Sequence, residues 1–142
     1  MKRPNTAQID IARRLFAHEA HGADSVEECT AAAERIHQKI FARLASLLGT
    51  AGTRALFARS VKLTAPDFPS LRQFDSNSTQ NTAEQLVACL REEPPAAIAE
   101  TTVTLCATLL TLLTTLIGER LTFQVLRSAW PAFDANASEE KK

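Results

Sequence analysis

The sequence predicts an all-α protein, a compact bundle of five to six helices. Ala is the commonest residue, Gly is limited to four and Tyr is absent. Ala and Leu lead the helix scale, whereas strands favour Val, Ile, Tyr and Trp. Apolar residues recur at intervals of three and four, and no stretch of six alternates cleanly between apolar and polar.

Ile9, Ile11, Leu15, Phe16 and Ala20 stand among charges and predict a first helix over 6–20, capped by Asn5 or Thr6. His21-Gly22-Ala23-Asp24 breaks it. Ser25 and Glu28 form a capping box, each side chain reaching the other's free backbone N–H. Val26, Cys29, Ala33, Ile36, Ile40, Leu44 and Leu47 then make one apolar stripe, and Gly49 suits a left-handed cap. A third helix covers 51–64, with Ala55, Leu56, Phe57, Val61 and Leu63 on its apolar side. Pro66 stops it, because a residue before proline leaves the helical region.

Residues 65–81 read as an irregular stretch, its first half pinned to the core by Phe68, Leu71 and Phe74. A structureless run of that length in a small domain is uncommon, being either functional or disordered. A short helix follows over 82–92, capped by Asn81 or Thr82. Pro94-Pro95 separates it from a long helical region over 96–129.

Between Glu100 and Glu119 lie eighteen uncharged residues, seven of them threonine. A helix apolar all round is central in its domain or in a membrane. The run is at the short edge of a span, which needs about 20 apolar residues, and threonine lowers its hydrophobicity. A buried central helix or a two-fold dimer face is therefore expected, with a span over 101–118 as the minor alternative. Gly118 either ends the helix or lets a neighbouring backbone approach. Leu121, Phe123, Val125, Leu126 and Trp130 continue the core and Pro131 ends it. One domain over 1–133 and a polar tail over 134–142 are expected.

The chain has 142 residues, with 16 Lys+Arg against 16 Asp+Glu. That length suits one domain whose core needs no disulfide or metal staple. Balanced charge argues against nucleic-acid binding, which needs a surplus of cations over phosphates. Cys29, Cys89 and Cys106 form no C-x-x-C pair and read as reduced, buried thiols. Nothing after Met1 resembles the apolar core of a signal peptide, so a cytoplasmic location is the default.

Two segments carry a resemblance. Leu48-Gly49-Thr50-Ala51-Gly52-Thr53-Arg54-Ala55-Leu56-Phe57-Ala58-Arg59 is one. Leu112 to Thr122, continuing to Leu126-Arg127 and Trp130-Pro131, is the other. Together they resemble a group of small helical bacterial proteins of uncharacterised function, over about half the chain. The resemblance implies a bacterial cytoplasmic protein with a shared helical fold, and no chemistry.

Candidate chemistry is sparse. His18 and His21, three apart at a helix end, could share a metal, but they lack the four-residue spacing of zinc proteases, and solvated histidines are the expectation. The same segment resembles the phosphotransfer histidine motif of helical-bundle signalling domains, with His18 as acceptor. His21 stands where that motif has lysine, which weakens the fixed charge that would hold a phosphoryl group.

Arg35, Lys39 and Arg43 follow at intervals of four, and Arg54, Arg59 and Lys62 lie on the next helix. Residues 1–63 hold ten basic and six acidic residues, and 64–142 hold six and ten. These six cations, with Phe68 and Phe74 of the following stretch, are the expected interaction face, suited to phosphate or an acidic partner. A solvated helix face is the plainer alternative. Glu119 is expected to pair with Arg120, Arg127 or a helix N-terminus. No glycine-rich phosphate loop, G-x-S-x-G or catalytic carboxylate pair occurs.

The expectation is a non-enzymatic protein-interaction or regulatory module, a homodimer, with no cofactor and no metal. The alternatives are a phosphotransfer domain using His18 and a carrier holding a small apolar ligand beside the threonine-rich helix.

Overall fold

A computed structural model describes residues 6–22, 25–74 and 82–131. It is an all-α bundle. Six helices appear in order: α1 (Thr6–Ala20), α2 (Val26–Leu48), α3 (Thr50–Thr64), α4 (Thr82–Leu90), α5 (Pro95–Ile117) and α6 (Glu119–Ala129). The segment expected at 75–81 and the polar tail at 134–142 lie outside the described residues.

α2 touches every other helix, and α5 touches α1, α2, α3 and α6, so the two longest helices form the spine. α2 is more central than its single stripe suggests. It buries Cys29, Thr30, Ala32, Ala33, Ile36, His37, Ile40 and Leu44, a broad arc that includes small residues where neighbours come close. Ser25 caps it, its Oγ accepting from Glu28 N–H at 3.1 Å.

α5 buries twelve of its 23 residues within the chain, from Ile98 to Leu113. Among the described residues it is the one helix long and apolar enough to cross a bilayer, and most of it packs against its neighbours. Buried Thr101, Thr108 and Thr111, and exposed Thr115, return their hydroxyls to the helix's own backbone. Thr101, Thr108, Thr111 and Thr115 donate to the carbonyls of Ala97, Thr104, Ala107 and Thr111 at 2.8–3.0 Å. Thr64 of α3 adds a bond across to Thr108 at 3.3 Å.

Gly118 ends the long region and restarts it as α6. Its φ is +92° with ψ 160°, while its N–H still bonds Thr114 O at 2.8 Å and its C=O accepts from Thr122 N–H. A Cβ there would meet nothing within 4 Å. The requirement is therefore the backbone angle, which side chains disfavour, and not a neighbour's close approach. Gly49 does the same between α2 and α3 at φ +84°.

Residues 65–73 are ordered more tightly than the irregular reading expects. Two 3-10 turns, Ala65–Asp67 and Pro69–Gln73, fold back beside α3 and α4. Bonds run from Phe68 N–H to Ala65 O, from Leu71 N–H to Phe68 O and from Phe74 N–H to Leu71 O, at 2.9–3.0 Å. The three-residue repeat stacks Phe68, Leu71 and Phe74 on one side, against the core. All three cysteines are buried and outside any disulfide, and burial pushes the Cys106 thiol up to about 12.

Candidate functional site

The structure divides the expected interaction face. Two of its cations hold an internal carboxylate. Glu19 continues the stripe of Ile11 and Leu15 on α1, so the turn that presents those side chains to the core carries a carboxylate there, 6% exposed. Arg35 Nε donates to Glu19 Oε1 at 2.9 Å, and Arg35 Nη2 donates to the Glu19 backbone carbonyl at 2.7 Å. Lys39 Nζ and Trp130 Nε1 both donate to Oε2, the indole at 2.5 Å. Lys39 also lies over the Trp130 ring, 5.5 Å from its centroid.

Burial pushes the Glu19 carboxyl up, but the bonds from Lys39, Trp130 and Arg35 outweigh it and hold the group at about 2. This knot closes α1, α2 and the end of α6 on one another. The sequence signal for it is a lone acid on an apolar stripe.

Arg43 lies elsewhere. With Ser46, Leu47, Leu121, Gln124, Val125 and Ser128 it lines a shallow groove of about 250 Å³ between α2 and α6. Leu47 and Leu121 are 49% and 41% exposed there, and Leu116 at the end of α5 is 62% exposed. Phe68 is half-buried and packs on the core.

Arg54, Arg59, Lys62 and Phe74 do come together. The fold-back at Pro66 and Pro69 sets the second 3-10 turn beside α3, and an open groove of about 810 Å³ runs between them. Ala51, Ala55 and Ala58 of α3, with Ala65 of the first 3-10 turn, supply a small-residue floor, and Leu71 and Phe74 supply the facing wall. Arg72, which the sequence reading missed, joins Arg59 and Lys62 at the edge. All three are exposed, none has an ion pair among the described residues, and no lining residue is acidic. Arg54 also borders a smaller groove of about 420 Å³ with Gln38, Phe41, Ala42, Thr50, Thr82 and Ala83. None of these three grooves is lined by α5, beside which the carrier reading places its ligand.

His18 is exposed on the last turn of α1. Its ring lies 5.9 Å from that of His21, and no third metal-binding side chain joins them among the described residues. Glu119 is exposed in the first turn of α6, where the helix dipole favours a carboxylate. Among the described residues it forms no ion pair with Arg120 or Arg127.

One further polar group was not singled out from the sequence. His37 is buried on α2, its Nδ1 2.7 Å from Ala33 O and its ring edge-on to Phe57 at 6.0 Å. Nε2 has no partner among the described residues. Burial pushes the imidazole down to about 4 against the smaller opposite pull of the Ala33 carbonyl, so the ring is neutral and Nδ1 donates.

No protein-family model matches the chain, and no curated protein or solved structure matches it either.

Proposed function

We propose that the chain is a non-enzymatic protein-interaction module whose working surface is the outer face of α3 with the adjoining 3-10 turn. One observation carries this reading: Arg59, Lys62 and Arg72 surround an apolar floor without any carboxylate among the lining residues. Surface cations commonly find acids nearby, as Arg13 does with Glu100 at 3.1 Å and Arg14 with Asp10 at 3.3 Å. Three cations on a groove whose described lining holds no acid favour an acidic partner on a chain of net charge zero. The groups that burial and buried bonds perturb have internal explanations. Glu19 is held by three donors, and His37 and Cys106 are sealed in the core.

The test compares tagged wild type with the Arg59→Glu, Lys62→Glu, Arg72→Glu variant, recovered from the cells that make it. Native mass spectrometry follows, with a denatured control. A polypeptide retained by the wild type and lost from the variant is the expected result. Equal retention by both would remove this face from consideration.

A further inference from the structure

We propose that the α3 groove takes an amphipathic α-helix of a partner protein, its apolar stripe flanked by carboxylates. The inference rests on the reading of this face as the working surface, and adds the chemistry of the occupant.

Three features select it. The first is charge: Arg59 and Lys62 stand on one side of the groove and Arg72 on the other, so acids on both flanks of an entering segment find partners. The second is the floor. Ala51, Ala55 and Ala58 follow at helical spacing on α3, and small side chains let two helix axes approach to about 8 Å. Phe74, half-buried at the end of the second 3-10 turn, then meets the apolar stripe from the side. The third is backbone supply. An extended peptide would lay unpaired N–H and C=O groups on this surface, because α3 and the 3-10 turn have used their own. A helix brings its backbone bonds with it. Single-stranded RNA would use the cations but gain little from alanine, and the groove has one aromatic ring for stacking.

The probe is a fluorescent synthetic helix of about 18 residues, roughly 27 Å long, with leucines at three- and four-residue intervals and glutamates beside them. One control replaces the glutamates by lysine. A second places proline at the centre, which breaks the helix but keeps the charge. Anisotropy gives the affinity, and amide shifts of the ¹⁵N-labelled full chain give the location.

The acidic helix is expected to bind with micromolar affinity, shifting Ala55, Ala58, Leu71 and Phe74. Both controls are expected to lose binding. The Arg59→Glu, Lys62→Glu, Arg72→Glu variant, folded by circular dichroism, should bind about tenfold more weakly or worse. If the proline control or an RNA oligonucleotide shifts the groove amides and the acidic helix does not, the occupant is wrong and the surface stands. If no probe shifts those amides, or the acidic helix shifts only the α2–α6 groove, both the occupant and the surface are wrong.

Discussion

Trp130→Ala is expected to melt about 10–20 °C below the wild type, corresponding to a loss of about 3–5 kcal/mol. The indole is 2% exposed at the end of α6, 111 residues from its bonding partner Glu19. Truncation leaves a cavity and removes the contact that ties α6 to α1. Arg35 and Lys39, 47% and 41% exposed, can return to water, so the charge knot adds little to the cost. Trp130→Phe separates the two contributions. It keeps most of the ring and removes only the Nε1–H donor, and should cost about 1–2 kcal/mol. Calorimetry of both variants checks this. An alanine variant that melts with the wild type would show that the C-terminal tryptophan is not a structural anchor.

Stability is expected to fall as pH drops from about 6.5 to about 4, and His37 is the cause. The unfolded imidazole takes up its proton near 6.5, the folded one only near 4. Between those values the unfolded state binds more protons, so acid favours unfolding; above 6.5 neither state is protonated and the contribution stays intact. The full window is worth about 3 kcal/mol at about 1.4 kcal/mol for each pH unit. Glu19 acts lower: its carboxyl is held at about 2 against an ordinary 4.5, so its stabilisation is present above 4.5 and is lost as pH falls toward 2. Urea unfolding of His37→Leu between pH 6.5 and 4.5 should therefore show a flatter pH dependence than the wild type. An unchanged slope would place the titrating group elsewhere.

What was legible in the sequence was local. Ser25 before Val26, Gly49 and Gly118 mark helix ends through bonds or angles settled within a few residues, and the structure has them at those places. Pro66 acts differently from the expectation: Ala65 before it stays helical at φ −55°, ψ −34°, and α3 runs on into the first 3-10 turn. The three-residue spacing of Phe68, Leu71 and Phe74 is a 3-10 signature, but short 3-10 turns leave so brief a pattern that composition reads as irregular. Long-range pairings were not legible. Arg35 and Lys39 read as a free basic stripe because their partner is 16 and 20 residues away on another helix. Arg72 joins Arg59 and Lys62 only because the chain folds back on α3, which the composition of 65–74 does not specify. His37 lies between Ile36 and Ile40 on the buried arc of α2, and its position on an apolar stripe is the signal that could have found it.

Site-specific photo-crosslinking in the cells that make the chain asks whether the α3 groove is the surface that a partner occupies. A photoreactive residue replaces Ala58 in the α3 groove or, separately, Ser128 in the groove between α2 and α6. Position 58 is expected to capture a partner polypeptide, glutamates at 59, 62 and 72 to abolish the capture, and position 128 to capture nothing comparable. Capture of a second copy from position 128, with none from 58, would contradict that expectation. The working surface would then be the Leu47–Leu121 groove, where the homodimer expected from the leucine content would form.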